Sequence, residues 1–169
     1  GIGREIARRC TAFGMTVIGS DVVDLPPSTL AEVGVTQKPF DMVIAEADII
    51  VIACNLTAEN RHLFNATAFA AMRRGVIVVN VARGPIVEES ALIEALSTGQ
   101  VGAAGLDVFE VEPLPADSPL RGFDNCLFGT HSGSSTTEAI QRTNRISVDI
   151  ALAMLGLGND DLSRRNRVA

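Results

Sequence analysis

Four polar residues from the middle of the sequence onward each follow an apolar run: Arg83 after 76–79, Asp107 and Glu112 after 101–106, and His131 after 126–128. A guanidinium presents a planar fork of donors that matches a carboxylate, or a carboxylate and a neighbouring carbonyl. An imidazole gives a proton to a carbonyl oxygen as hydride arrives at carbon, and takes it back in reverse. A carboxylate beside that imidazole favours its charged form and orients the ring. An aspartate at a strand end can hold a carboxamide. Each residue also has an ordinary reading alone: Arg83 as a surface or capping arginine, Asp107 as a turn residue, Glu112 as a solvated loop carboxylate. Their shared position after apolar runs is what argues for a common site.

Those residues need elements to position them. Residues 4–13 put Ile6, Cys10 and Phe13 on one helical face, and Gly14 ends that helix. A short strand is expected over 15–20, then a loop at Asp24-Leu25-Pro26-Pro27. A short helix follows at 40–47. The unbroken apolar runs 49–53 and 76–79 read as strands covered on both faces. Helices are expected at 65–72 and 88–96, the latter with Glu88 and Glu89 in its first turn, where the helix dipole favours negative charge. A small-residue strand spans 101–106, and Pro113, Pro115 and Pro119 mark an irregular loop. After a last strand at 126–128, Ser135 and Glu138 have the spacing of a capping box, opening a long helix to about residue 155. This alternation predicts an α/β fold, a Rossmann-type doubly wound parallel sheet with helices on both faces. In such a sheet Arg83, Asp107, Glu112 and His131 leave from one edge, where ligands bind.

The other end of the chain carries a second signal. Gly3 opens a helix and Asp21 closes the next strand, the spacing of the third glycine and the acidic residue of a dinucleotide fingerprint. The glycine permits close helix–strand packing, and the helix amides face a pyrophosphate. Asp21 accepts hydrogen bonds from ribose hydroxyls and repels a 2′-phosphate. No adjacent cation in Val22-Val23-Asp24 would neutralise that phosphate, so NAD is favoured over NADP. The spacing puts the first strand and the first two glycines upstream of Gly1. The sheet is therefore expected to lack its first strand, the chain to be a fragment, and the isolated chain to bind NAD weakly.

Composition narrows the partners. The 169 residues carry a net charge of -6 and only 4% aromatics, without Trp or Tyr, so neither a basic patch nor stacking platforms point to nucleic acid. No apolar stretch approaches the roughly 20 residues that span a bilayer, so no membrane partner is expected. Cys10, Cys54 and Cys126 have no metal spacing and read as reduced, buried thiols of a cytoplasmic protein. No metal site is expected. His62, in the polar stretch Glu59-Asn60-Arg61, reads as an exposed residue.

Three blocks together resemble a known family. Asn80-Val81-Ala82-Arg83-Gly84, Gly105-Leu106-Asp107-Val108-Phe109-Glu110-Val111-Glu112-Pro113 and His131-Ser132-Gly133-Ser134-Ser135 are similar, in order and spacing, to the signature blocks of the D-isomer-specific 2-hydroxyacid dehydrogenases. The likeness runs from Gly3 to about Leu155, with features of a phosphoglycerate dehydrogenase-like branch. It implies an NAD-dependent oxidoreductase moving hydride to and from C2 of a small D-2-hydroxy acid or 2-oxo acid, such as phosphoglycerate, glyoxylate or hydroxypyruvate. It implies that Arg83 binds the substrate carboxylate and carbonyl, that His131 is the acid/base with Glu112 as its partner, and that Asp107 contacts the nicotinamide. Gly3 and Asp21 take the cofactor roles above, and a homodimer through this domain is implied. The expected organisation is an N-terminally truncated NAD-binding domain over 1–155 and a tail over 156–169 returning to a substrate domain outside this sequence. The chain departs from the family pattern at Thr130, Pro85 and Asn55, where proline, glycine and proline are usual. Corepressors similar to this family keep the Arg-Glu-His set while working through protein partners, so an NAD-sensing binding protein is the alternative, as is an inactive remnant. An aromatic tends to replace the Ser132-Gly133-Ser134 run in those corepressors.

Overall fold

A computed structural model of the chain describes residues 1–157, so most of the tail expected at 156–169 lies outside the described residues. The chain divides into two compact units, Gly1–Thr130 and a second that begins at His131.

The first unit alternates helix and strand. Helix α1 (Ile2–Ala12) has Glu5 in its first turn and Arg9 in its last, both placed favourably for the helix dipole. Strand β1 (Val17–Gly19) pairs in parallel with β2 (Val35–Gln37), and α2 (Pro27–Val33) connects them. Helix α3 (Phe40–Glu46) leads to β3 (Ile49–Ile52), α4 (Ala66–Ala71) to β4 (Val76–Asn80), and α5 (Glu89–Ser97) to β5 (Val101–Leu106) and then β6 (Cys126–Phe128). These last four strands form one parallel sheet in the order β3-β4-β5-β6, separate in its hydrogen bonding from the β1-β2 pair. The parallel α/β fold expected from the sequence is present.

Helix α2 and strand β2 are additions to the sequence reading, which passed from the loop at Asp24–Pro27 to the helix at 40. Pro27 opens α2, where its fixed φ suits a first helical turn and its missing N–H costs nothing. The proline pair looks like loop chemistry and is helix-starting chemistry. Strand β2 has three residues, too few to show an alternation.

The core lies on one face of the four-stranded sheet. Ile50, Ile52, Val76 and Val78 meet Ile44 of α3, Ala68 and Phe69 of α4, Met72 just after it, and Leu92, Ala95 and Leu96 of α5. Phe69 is 2% exposed, so its truncation to Ala costs about 3–5 kcal/mol. The runs at 49–53 and 76–79 were expected to be covered on both faces. Within the described residues only one face is: Ile50 and Ile52 are buried, whereas Ile49 and Val51 are exposed. An apolar run records that both faces suit burial, not what covers them.

In the second unit, α6 (Thr137–Met154) is the long helix expected. Its cap is Thr136, whose hydroxyl accepts the Ala139 N–H at 3.1 Å, rather than Ser135. The hydroxyl three residues before the amide it satisfies is the one that caps, and Ser135 lies one residue too early. No described helix is long and apolar enough to cross a membrane.

Candidate active site

The strand register aligns the carboxyl ends of the four-stranded sheet. Ile52 pairs with Asn80, Asn80 with Leu106, and Leu106 with Phe128, so these four residues form one row across the sheet. The next residues, Ala53, Val81, Asp107 and Gly129, therefore leave from a single edge. The ladder continues one step into the loops: Val81 N–H donates to Ile52 O at 3.2 Å, Asp107 N–H to Asn80 O at 3.0 Å, and Gly129 N–H to Leu106 O at 2.7 Å.

Asn80 organises the turn that carries Arg83. It is the buried polar residue of the described core, 1% exposed, and both its amide oxygen and its amide nitrogen are hydrogen-bonded. Its Oδ1 accepts the Ala82 N–H at 3.0 Å and its Nδ2 donates to the Arg83 carbonyl at 3.1 Å. The amide thus acts as a template for the turn, the strand-end structural role its position suggests. Arg83 itself is exposed, and its Nη1 donates to the Ala82 carbonyl at 2.6 Å. The rest of its donor fork is uncommitted among the described residues.

Gly84 fixes this turn against the next loop. A Cβ at Gly84 would overlap the Phe109 carbonyl and crowd the Glu110 nitrogen, so only glycine permits the approach. Pro85, a departure from the family pattern, sits inside a 3-10 turn (Gly84–Ile86), where its missing N–H is not required. The loop against which Gly84 packs is the one that carries Asp107 and Glu112. Glu112 Oε1 accepts the Phe109 N–H at 3.0 Å, folding its carboxylate back onto the same turn. Asp107 is half-buried, and a Cβ at Gly129 would collide with its carboxylate, so the β5 and β6 ends are in backbone contact too. Arg83, Asp107 and Glu112 thus belong to one loop cluster. His131 opens the second unit with φ 52°, a left-handed conformation uncommon outside glycine.

A second group of residues gathers where α1 starts, beside the ends of β1 and β3. Gly3 lies in the first turn of α1, and a Cβ built there would meet the Ala53 Cβ at 3.9 Å, so the helix start sits at the end of β3. Asp21 is exposed just beyond β1 and accepts the Val23 N–H at 3.3 Å through one carboxylate oxygen. Of the three cysteines expected to be buried, Cys126 is, Cys10 is half-buried and Cys54 is exposed, because it leaves the sheet edge just after β3. Partial burial of the Cys54 thiol still pushes its pKa up, and the negative charge of Asp21 adds to the effect, placing Asp21 near the residue that follows Ala53. Helix-start amides beside an exposed carboxylate are the donor and acceptor set that a pyrophosphate and a ribose diol require. The residues fit.

One group escaped the sequence reading. His62 is not simply exposed: its Nε2 pairs with Glu110 Oε1, and the residue is half-buried. The other oxygen of Glu110 accepts the Glu89 N–H at 3.2 Å, and Glu89 Oε2 accepts the Glu110 N–H at 3.4 Å. Burial pushes the Glu89 carboxyl pKa up, and the nearby charge of Glu110 adds to that rise. The pair joins segments far apart in sequence, and no local pattern announces it. The positive φ of His62, 54°, is likewise invisible in the residue type.

With the geometry in place, known proteins supply the comparison. Residues 1–133 match the family described as "D-isomer specific 2-hydroxyacid dehydrogenase, NAD binding domain". The chain belongs to this family. Glyoxylate/hydroxypyruvate reductase B of Salmonella newport (strain SL254) is 49% identical over 110 residues, 65% of this chain and 34% of the relative. The structure of a glyoxylate reductase from Paecilomyes thermophila superposes with a TM-score of 0.83 at 35% identity, covering 90% of this chain and 46% of that one. The D-lactate dehydrogenase of Lactobacillus jensenii, solved with NAD+, gives 0.82 at 31% identity over 92% of this chain and 50% of that one. The chain therefore spans a third to a half of the length of these relatives. The family confirms the NAD-binding fold expected from the three blocks.

Proposed function

We propose that this chain is the cofactor-binding part of an NAD-dependent D-2-hydroxyacid dehydrogenase. The observation that carries the reading is the loop cluster in which the Arg83 turn, templated by Asn80, is packed through Gly84 onto the loop of Asp107 and Glu112. The reaction is the reduction of a 2-oxo acid to a D-2-hydroxy acid, and its reverse. Bound NADH supplies the hydride that C2 receives. Arg83 holds the substrate carboxylate and the neighbouring C2 carbonyl oxygen in its fork, which fixes C2 in place for hydride. His131 donates the proton that the carbonyl oxygen needs once C2 has taken the electron pair. Glu112 is assigned as its carboxylate partner, favouring the imidazolium before transfer. Asp107 is assigned to hold the nicotinamide carboxamide, and Gly3 and Asp21 the pyrophosphate and adenosine ribose, with Asp21 selecting NAD over NADP.

The two- and three-carbon substrates of the reductases it resembles make glyoxylate and hydroxypyruvate the first candidates. The phosphorylated analogue follows from the phosphoglycerate dehydrogenase-like features. A homodimer built through this domain, a cytoplasmic location and a domain boundary near residue 155 complete the proposal. The test is NADH oxidation by the full-length protein with glyoxylate, hydroxypyruvate or phosphohydroxypyruvate, with chiral analysis of the product where it has a stereocentre. Turnover giving the D product supports the reading. Tight NADH binding without turnover of any 2-oxo acid would favour the corepressor-like alternative instead.

A further inference from the structure

The proposed reaction does not use His62, Glu110 or Glu89, yet the three come together from separate parts of the first unit. His62 lies between β3 and α4, Glu110 in the loop after β5, and Glu89 in the first turn of α5. Together with the backbone they close a ring around the Arg83 turn. On one side, His62 N–H donates to the Pro85 carbonyl at 2.8 Å and Phe64 N–H to the Ile86 carbonyl at 3.1 Å. A Phe64–Val87 bridge continues this contact in parallel. On the other side, Gly84 rests on the Phe109 carbonyl and Glu110 nitrogen. The His62–Glu110 pair ties the two flanking segments to each other, and the reciprocal bonds between Glu110 and Glu89 anchor that pair to α5.

We propose that His62, Glu110 and Glu89 are positioning residues that fix where the Arg83 guanidinium is presented, and so set affinity for the substrate carboxylate. The proposal rests on the dehydrogenase reading above. Two features argue against an incidental contact. A histidine in the left-handed region is strained, and a glycine would satisfy the same backbone bonds at no steric cost, so the ring is what histidine adds. Glu89 and Glu110 each accept the other's backbone N–H, so two partly buried carboxylates are held face to face, with the His62 ring on the remaining oxygen of Glu110. The cluster keeps a strained histidine where its ring joins both walls of the Arg83 turn.

The step affected is binding, because the Arg83 fork grips the carboxylate both before and during hydride transfer. Loss of such uniform binding raises KM and leaves kcat nearly unchanged. In the full-length enzyme, Glu110→Gln and His62→Gly should raise KM for the 2-oxo acid by about tenfold or more, as expected for a binding group displaced by a fraction of an ångström. KM for NADH should stay constant. His62→Gly relieves the left-handed strain, so the variant folds and a rise in KM cannot be blamed on instability. His62→Gln keeps an Nε donor for Glu110 and should recover most of the loss. Amide hydrogen exchange at Ala82, Arg83, Gly84 and Ile86 should quicken in Glu110→Gln and His62→Gly without faster exchange in the β4 core. Unchanged KM together with unchanged exchange in both variants would overturn the proposal. So would equal losses in kcat and in KM for both substrates. If the wild-type enzyme reduces no 2-oxo acid, the dehydrogenase reading fails on its own, and the exchange measurement still decides whether the ring positions the Arg83 turn.

Discussion

The β3–β6 sheet and the β1–β2 pair each end in a residue proposed to meet a ligand, Arg83 and Asp21, but they hold it by different means. The Arg83 turn is over-determined: a buried amide templates it, a glycine contact docks it, and two flanking segments bond to it. Asp21 stands exposed after a three-residue strand, with one bond to its own turn. A fork that must match a carboxylate in both distance and plane needs a rigid mount. A carboxylate that accepts from two ribose hydroxyls and repels a phosphate acts largely through its charge, which tolerates small displacements. The contrast predicts that errors at the first edge are structural and severe, while those at the second are electrostatic and mild.

Gly84→Ala attacks the rigid mount directly. The new Cβ overlaps backbone, which cannot swing aside as a side chain would, so the two loops must separate. A loss of about 3 kcal/mol or more is expected in denaturant unfolding of the full-length protein, in the upper tail of single substitutions. Wild-type stability would show the clamp to be loose. Asn80→Ala removes the template and leaves the Ala82 N–H and Arg83 carbonyl to find other partners in a buried site, at about 2–3 kcal/mol for the two bonds together. Asp21→Asn should leave stability within about 0.5 kcal/mol. It should shift the NADH-to-NADPH preference towards NADPH by roughly tenfold, which is about 1.4 kcal/mol. An unshifted preference would remove Asp21 from cofactor selection. Glu5→Gln, which breaks exposed pairs with Arg8 and Arg9 on α1, sets the lower bound, with a denaturation midpoint indistinguishable from wild type. A larger loss there would mean that the outer helix matters more than its exposure suggests.

The same contrast governs what could be read from residue order. The β3–β6 edge was legible because hydrophobic runs long enough to show a strand stop at conspicuous polar residues. Val76–Asn80 then Arg83, and Val101–Leu106 then Asp107, say where the strands end and what leaves them. The β1–β2 region was half legible: Gly3 and Asp21 have fingerprint spacing, but α2 and β2 are too short to impose a period, and Pro26-Pro27 imitates a loop. His62 and Glu110 were not legible, since a long-range pair leaves no periodic trace and a left-handed histidine looks like any other. The cap of α6 moved by one residue, from Ser135 to Thr136, because neighbouring hydroxyls are equivalent until the backbone selects one.

The central claim is that the held guanidinium of Arg83 is the substrate's carboxylate anchor. The most direct test compares kcat/KM for glyoxylate or hydroxypyruvate between the wild-type full-length enzyme and Arg83→Ala, with NADH binding measured alongside. A fall of about 10³-fold or more, roughly 4 kcal/mol of lost transition-state stabilisation, with NADH affinity intact, is the predicted result. A variant that retains near-wild-type kcat/KM would contradict it.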